Sequence, residues 1–322
     1  MFYSGHDADT EHEEGYTYLW PKDELKKSLT KDEFTKFSKI YETQENFEGK
    51  IHLIKTDRVS YQYEKTRDIS ASIEQKRDAE NIFLPEIEKK LLGIRKKRKQ
   101  PSVDKKFLTS WNCLAGISLL AAYRFCGIEK AKSKSLEIFK SLLEKHYTEG
   151  RLYHSSLGNN VQKNEFLEDY ASFLLFATFV FEETGEYKNI LEDFFEKIQN
   201  FKKDGKWIES NNKDFFEVHA QNFDHPTPSS TSLAEMAILR AKILLDKDYE
   251  GIKYEESLNH DFHNLSVFVA TNFHIIHSPE KVEWGMLPLN CIQIRSKNIQ
   301  DCFGQKCMVF KTIGELVKSL KI

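Results

Sequence analysis

Hydrophobic side chains recur along the chain at intervals of three or four residues, the spacing that gives a helix one apolar face. The first clear run follows Ser110 and stops before Gly127, two residue types that respectively begin and end helices. Its apolar positions are Leu114, Ile117, Ala121 and Phe125. A second run, over 136–147, has the same period and reaches Gly150. The two runs together predict an αα-hairpin.

Two further helix pairs are predicted along the chain. Their segments are 166–181 with 187–201, and a helix from Ser232 with a partner over 258–276. The first pair is bounded by Gly185 and by an Asp204-Gly205 turn. In the second pair, Ser232 and Glu235 have the spacing of a capping box.

Outside these pairs the helical pattern is weaker. Segments 22–42 and 70–97 are helical with interruptions, and Pro85 suits a first helical turn better than a helix interior. β-Branched residues over 282–294 predict short strands before a last helix, which begins with capping-box spacing at Thr312.

This pattern predicts an all-α protein, an α/α toroid or solenoid of successive hairpins. The hairpins are expected over residues 1–278. A small tail, irregular or with short strands, and a terminal helix are expected over 279–322.

The composition argues against several classes of function. The 322 residues include 47 basic and 50 acidic side chains, a net charge of −3 that is too balanced for a dedicated nucleic-acid binder. The longest apolar stretch, 170–181, is much shorter than the roughly 20 residues that span a bilayer. The N-terminus lacks the basic start and apolar core of a secretory signal, so we expect a cytoplasmic protein. Five cysteines without a regular spacing predict reduced thiols.

Six stretches of the sequence carry a resemblance to a known family. They are FYSGHDADTEHEEGYTYLW from residue 2, ENFEGKIHL from 45, RKKRKQPSVDKKFLTSWN from 95, FLEDYA from 166, PSSTS from 228 and CFGQKC from 302. These stretches resemble the family of spermatogenesis-associated protein 20, the YyaL-like proteins, which join a thioredoxin-like domain to a six-hairpin, glycosidase-like (α/α)6 barrel. Lys105, Cys113, Ser230 and Thr231 depart from the family pattern, which has Asp, Gly, Gly and Asn at these places.

The resemblance implies the later part of such a six-hairpin barrel, in incomplete form. The thioredoxin-like domain and the first hairpins would precede the position of Met1. It also implies a carbohydrate-associated pocket whose reaction is left open, with a sugar hydrolase or an epimerase-like enzyme as candidates. The alternative is a non-catalytic binding or scaffold half, which completes a barrel with a thioredoxin-like partner chain or by self-association.

Candidate catalytic residues follow from the two carboxyl groups that glycosidase chemistry places in one pocket, one protonated and one ionised. The candidates are Asp7, Asp9, Glu168 and Asp169. Each of them also has a structural interpretation, because acidic residues at helix starts are commonly caps or solvated charges.

Candidate substrate-binding residues have rings that stack on sugars or polar groups that bond to hydroxyls. They are Trp20, Trp111, Asn112, Tyr170 and Asp224. A core position is the competing interpretation for Trp111, and a turn role is the competing one for Asp224. The expected ligand is small and sugar-like, with neither a nucleic acid nor a membrane as partner.

No metal or other cofactor is predicted. His154, His219 and His225 have neither a histidine four residues away nor cysteine partners at zinc spacing. Cys302 and Cys307 are a redox candidate, because the five-residue spacing allows the chain to fold back and bring the thiols together. The alternative is two reduced thiols in a packed tail.

Overall fold

The computed structural model describes residues 1–55, 84–212, 217–221, 223–224, 227–248, 273–304 and 306–320. The chain divides into two compact units, one formed by Gly5–Asp104 and the other by Met1–Ser4 with Lys105–Ile322. The sequence instead predicts a boundary between residues 278 and 279.

The prediction of an all-α toroid is wrong. The structure is 46% helical and 21% strand, with several sheets, one of which has four strands. Hydrophobic periodicity locates long helices well but carries little information about strands of two or three residues. None of the described helices is long and apolar enough to cross a membrane.

The unit Gly5–Asp104 combines short strands with three helices. Its elements are β1 (Gly5–His6), β2 (Asp9–Thr10), β3 (Glu13–Glu14), α1 (Lys22–Ser28), α2 (Lys31–Phe37), α3 (Leu84–Arg95) and β4 (Val103–Asp104). β1 pairs with β4 and β2 pairs with β3, both antiparallel. The buried core of this unit includes Trp20, Leu25, Phe37, Ile51 and Leu91.

Two helix predictions fall in this unit. The segment 22–42 forms two helices, because Leu29 is extended and Thr30 begins α2 with a capping box to Glu33. The segment 70–97 is described from residue 84, where Pro85 occupies the first turn of α3, as predicted. Residues 70–83 lie outside the described part of the chain.

The larger unit is built mainly of helices joined by short strands. In chain order, its elements up to residue 244 are β5 (Lys106–Leu108), α4 (Thr109–Cys126), α5 (Glu129–Lys145), β6 (Tyr147–Thr148), β7 (Arg151–Leu152), β8 (Ser155–Leu157), β9 (Asn160–Gln162), α6 (Leu167–Thr184), α7 (Lys188–Lys197), β10 (Lys202–Lys203), β11 (Lys206–Trp207) and α8 (Ser230–Leu244). A 3₁₀ turn, Ile198–Phe201, follows α7 directly.

The helix stops predicted from glycine are confirmed. Gly127 and Gly185 follow α4 and α6 in the left-handed conformation, with φ of 67° and 74°. The start of α8 differs from the prediction, because Ser229 is the cap and accepts a hydrogen bond from the amide of Ser232. The helix therefore begins at Ser230, two residues before the predicted start.

Helix α6 lies at the centre of this unit and packs against α4, α7 and α8. Its Phe173 and Phe176 are completely buried. Gly116 of α4 lies so close to Phe176 that a Cβ built on the glycine would be 2.2 Å from the ring. Short strands connect the helices: β5, β8 and β9 form one antiparallel sheet, and β6–β7 and β10–β11 form hairpins.

The chain ends in a four-stranded sheet and a helix. Its elements are β12 (His274–Ser278), β13 (Cys291–Arg295), β14 (Ile299–Phe303), β15 (Lys306–Phe310) and α9 (Ile313–Leu320). The strand order is β13-β12-β14-β15, with β12 parallel to β13 and the other pairs antiparallel. The helix predicted over 258–276 is wrong where β12 forms, and residues 258–272 lie outside the described part. The capping spacing at Thr312 is confirmed, because its hydroxyl accepts the amide of Glu315.

Two buried carboxylates near the end of α6 join the helices to this sheet. Glu182 accepts hydrogen bonds from Arg240 Nη2 at 2.6 Å and from the amide of Gln293 at 2.8 Å, and lies 3.1 Å from Arg124 Nη1. Glu183 accepts from Lys132 Nζ at 2.8 Å, Lys281 Nζ at 2.6 Å and Trp284 Nε1 at 3.1 Å. The lysine contacts hold the pKa of Glu183 below its usual range despite burial, which acts to raise it.

Candidate functional site

The starts of α4, α6 and α8 are joined to one another by hydrogen bonds. The Ser110 amide on α4 donates to Asp169 Oδ1 on α6 at 3.1 Å. The Leu167 amide at the start of α6 donates to the carbonyl of Glu209 at 2.9 Å, and Ser230 Oγ of α8 donates to the Glu209 carboxylate at 2.9 Å. We call this region the helix-start site and define it by Ser110, Trp111, His154, Glu168, Asp169 and Glu209.

His154 is held in this site by its backbone and by its ring. It lies between β7 and β8, where its amide donates to Asn164 at 3.0 Å and its carbonyl accepts from Thr109 at 2.9 Å. The imidazole packs edge-to-face against Phe166, with 5.0 Å between ring centroids. The short strands that the sequence did not predict therefore place this histidine beside α6.

Two adjacent carboxylates approach the same nitrogen of that imidazole. His154 Nδ1 lies 2.9 Å from Asp169 Oδ2 and 3.6 Å from Glu168 Oε1. The three donor atoms all lie within 4.8 Å of one another. Asp169 is completely buried, whereas the side chains of His154 and Glu168 are 22% and 42% exposed, so the cluster is open to solvent on one side.

The environment changes the protonation of all three groups. Burial, together with the negative charge of Asp169, raises the pKa of Glu168 to about 7. Burial also raises the pKa of Asp169, although the hydrogen bond from His154 opposes the rise. The hydrogen bond to Asp169 raises the pKa of His154. In the described part of the chain, no lysine or arginine lies within 4 Å of the Glu168 or Asp169 carboxylate.

Among the predicted site residues, Glu168, Asp169 and Trp111 belong to the helix-start site. Trp111 follows Ser110 directly and is 51% exposed, so it is not a core residue. Two members of the helix-start site, the histidine His154 and the glutamate Glu209, were not predicted as site residues. The spacing of residues 154, 168 and 209 forms no motif, and they meet only through tertiary structure.

Asn112 and Tyr170 are buried, and their polar groups serve the fold. The Asn112 amide exchanges hydrogen bonds with the backbone of Phe2 and donates to the Leu108 carbonyl. The Tyr170 hydroxyl donates to Glu165 and accepts from the Leu152 amide. These contacts leave neither side chain in the exposed part of the site.

Asp7, Asp9 and Trp20 lie in the unit Gly5–Asp104. The exposed Asp7 carboxylate accepts hydrogen bonds from the Asp9 amide and from Ser102 Oγ, both at 3.2 Å, and Asp9 is an exposed residue of β2. Trp20 is buried in the core with the guanidinium of Arg98 over its ring at 4.2 Å. These contacts stabilise the local fold of that unit.

Asp224 lies in the turn before α8. Its carboxylate accepts hydrogen bonds from the Ser229 amide at 2.8 Å and from Ser232 Oγ at 2.7 Å. It thereby holds the segment that begins the helix, which agrees with the turn interpretation. His225 lies outside the described residues.

Cys302 and Cys307 form a disulfide bond between directly opposed residues of β14 and β15. The expectation of reduced thiols is therefore wrong for this pair. A redox role for the pair stays a prediction. The free cysteines are Cys113 and Cys291, which are buried, and Cys126, which is exposed.

Comparison with known proteins finds no family model that matches this chain and no matching curated protein, so the resemblance to the YyaL-like proteins stays a prediction.

Proposed function

We propose that this chain binds a small, hydroxyl-rich ligand of the sugar type at the helix-start site. The observation that carries the proposal is the junction of α4 with α6, which joins the helix turn that carries the exposed Trp111 to the helix turn that carries Glu168 and Asp169. The contact between the Ser110 amide and Asp169 Oδ1 fixes this junction, and Trp111 is the next residue along α4.

Trp111 supplies the apolar part of the proposed site. It is the exception among the four tryptophans, because Trp20, Trp207 and Trp284 are buried in the cores. An indole face stacks on the apolar C–H face of a sugar ring, and its burial by a ligand removes a large apolar surface from water. A tryptophan left half in water beside polar groups is therefore suited to ligand contact.

The carboxylates supply the polar part. Ionised Glu and Asp accept hydrogen bonds from hydroxyl groups, and such charge-assisted bonds are stronger than those between neutral groups. Glu168 is the most exposed member of the histidine–carboxylate cluster. Glu209 is held in place by Ser230.

The geometry favours binding over glycoside hydrolysis. Glycosidases place two carboxyl groups on either side of the bond that is broken. Glu168 and Asp169 leave the same turn of α6 and both approach His154 Nδ1, and Asp169 is completely buried, so the two do not flank a position that a sugar bond could occupy. We therefore propose a binding role and no hydrolytic step.

The test is a calorimetric titration of the purified chain with a panel of mono- and disaccharides, run with and without a chelator. We expect saturable binding of at least one sugar, loss of that binding in Trp111→Ala, and at least about tenfold weaker binding in Glu168→Gln. Phe125→Ala is the matched control, because Phe125 is an exposed aromatic residue at the other end of α4.

Tryptophan fluorescence gives an independent readout in the wild-type chain. Because Trp111 is the exposed tryptophan, a bound sugar should protect the emission from acrylamide quenching. Absence of saturable binding across the panel, or binding that is unchanged in Trp111→Ala, would contradict the proposal.

A further inference from the structure

We propose that His154, Glu168 and Asp169 form a binding site for one first-row divalent cation, such as Zn²⁺ or Mn²⁺. The proposal goes beyond sugar binding and does not depend on it, although the two proposals share residues. It also departs from the expectation of no metal, which rested on sequence spacing alone.

The donor atoms have the spacing that a cation requires. A divalent ion about 2.0–2.2 Å from each ligand holds its ligand atoms roughly 3–4 Å apart. His154 Nδ1 lies 2.9 Å from Asp169 Oδ2 and 3.6 Å from Glu168 Oε1, and all three atoms lie within 4.8 Å of one another. A small closing movement of Glu168, the most exposed of the three, would complete the site.

The charge of the cluster also favours a cation. Asp169 is completely buried, and a buried carboxylate is expensive unless an opposite charge or good hydrogen bonds compensate it. Within the described ranges, the imidazole of His154 is the one charged partner within 4 Å of either carboxylate. A divalent ion would neutralise both carboxylates at once.

Ser110 adds a separate observation. Its amide donates to Asp169 Oδ1, which leaves Oδ2 directed to His154. Carboxylates that bind metals are commonly oriented in this way by a hydrogen bond to the oxygen that does not face the ion. Its hydroxyl is buried and, among the described residues, has no hydrogen-bond partner. A water bound to the ion is the kind of group that would satisfy this hydroxyl.

The donors are held on rigid parts of the fold. His154 is fixed by two backbone hydrogen bonds and by the Phe166 ring, and both carboxylates leave the first turn of α6. One nitrogen and two oxygen donors suit Zn²⁺, Mn²⁺ or Fe²⁺, whereas Ca²⁺ and Mg²⁺ prefer oxygen donors alone. Three protein ligands leave at least one position for water or for a ligand hydroxyl.

The cation replaces a proton. Without the ion, the Nδ1–H group of His154 donates to Asp169 Oδ2. A doubly protonated His154 gives its Nδ1 proton to solvent, keeps the proton on Nε2 and binds the ion as a neutral ring through the Nδ1 lone pair. A ring whose one proton is on Nδ1 takes up a proton on Nε2 as Nδ1 loses its own, and so stays neutral as well.

The test is isothermal titration of the chelator-treated chain with Zn²⁺, Mn²⁺, Ca²⁺ and Mg²⁺, in the absence of sugar. We expect one site per chain, with Zn²⁺ and Mn²⁺ bound at least about tenfold more tightly than Ca²⁺ or Mg²⁺. Glu168→Gln should weaken binding by at least about tenfold, and His154→Gln should abolish it. Saturating Zn²⁺ should also raise the melting temperature of the wild-type chain and have little effect on that of His154→Gln.

The controls separate this site from adventitious binding. Asp193→Asn removes a carboxylate that pairs with Lys197, and His52→Gln removes an exposed imidazole in the other unit, so both variants should bind like the wild type. Asp169→Asn changes a buried residue, so the conclusion is drawn from Glu168→Gln, whose side chain is partly exposed.

No saturable binding of Zn²⁺ or Mn²⁺, or binding that survives both Glu168→Gln and His154→Gln, would overturn the proposal. Sugar binding is measured with a chelator and cation binding without sugar, so either proposal can fail while the other stands.

Discussion

His146 and His154 illustrate how the same side chain is given two different properties in one unit. The His146 ring is completely buried, with Nδ1 2.7 Å from Thr109 Oγ1 and Nε2 2.7 Å from Ser156 Oγ. Burial lowers the pKa of His146 to about 4, with the charges of Lys145 and His154 adding to the effect. The hydrogen bond to Asp169 raises the pKa of His154 instead. Burial and partners therefore shift the pKa values of the two imidazoles in opposite directions.

His146 should make the chain less stable in mild acid. The unfolded imidazole takes up a proton below about pH 6.5, whereas the folded one stays neutral until its pKa of about 4. Stability should therefore fall as the pH is lowered through this window, with a limiting slope of about 1.4 kcal/mol per pH unit, and the loss ends below the folded pKa. Urea unfolding at pH 7 and pH 5 measures the effect.

The contribution is isolated by comparing variants. His146→Gln should lose roughly 1–2 kcal/mol less than the wild type between pH 7 and pH 5. His52→Gln, which changes an exposed imidazole, should keep the wild-type slope. Equal losses in the wild type and in His146→Gln would contradict the assignment.

At the scale of single residues, the sequence predicted some members of the candidate site and missed or misassigned others. Glu168 and Asp169 could be selected because acidic pairs at a helix start are visible in the sequence. His154 could not be selected in this way, because its closeness to the two carboxylates depends on the position of β8 and on the packing of α6. Asn112 and Tyr170 have residue types suited to sugars, yet burial commits their polar groups to the backbone and to Glu165.

At the scale of elements, local signals determined what could be predicted. The stops of α4 and α6 follow from glycine, whose left-handed conformation is strained for other residues. β12 could not be predicted, because a short segment with apolar residues at 273, 275 and 276 fits a strand or a buried helix equally well. Strands of two or three residues depend on pairing with distant segments, for example β5 with β8.

Gly116 should be required for the close approach of α4 to α6. A Cβ at this position would lie 2.2–2.8 Å from atoms of the Phe176 ring, which is buried and cannot move freely. We expect Gly116→Ala to lower the free energy of unfolding by about 1–3 kcal/mol, measured by urea denaturation.

Gly93→Ala is the matched control, because Gly93 lies in α3 and no atom would contact its added Cβ within 4 Å. That substitution should be neutral or stabilise by up to about 1 kcal/mol through helix propensity. A Gly116→Ala variant as stable as the wild type would show that the helices can separate at little cost.

At the scale of the whole molecule, the sequence did not predict how the helices and strands are arranged. The periodicity of apolar residues identified most long helices but did not predict how they pack. The toroidal arrangement was expected from the resemblance to the YyaL-like proteins. In the described structure, α6 is surrounded by other helices on several sides, and a mixed sheet follows them. Neither feature has a signature in the spacing of apolar residues.

The state of the five cysteines can be read for the whole chain in one experiment. With the Cys302–Cys307 bond intact, alkylation under denaturing conditions without reductant should add three labels, and prior reduction should add five. Under native conditions without reductant, one label is expected, at Cys126, and Cys126→Ser should remove it. Mass spectrometry counts the labels. Five labels without reductant would show that the pair is reduced in solution.

Glu182 and Glu183 bind cations on α4, α5 and α8 and also three groups that follow β12, namely Lys281, Trp284 and the Gln293 amide. Separating the C-terminal sheet from the helices would therefore break these buried contacts and leave Lys281 without its carboxylate partner. Dissolved ions screen exposed charges well and buried ones poorly. High ionic strength should therefore leave this attachment intact. A shortened chain that ends before Lys281 would also lose Trp284 and the Gln293 amide, and Glu183 would keep only its partners on α4 and α5. In protein engineering, the C-terminal sheet should therefore be kept together with these helices when this unit is moved into another chain.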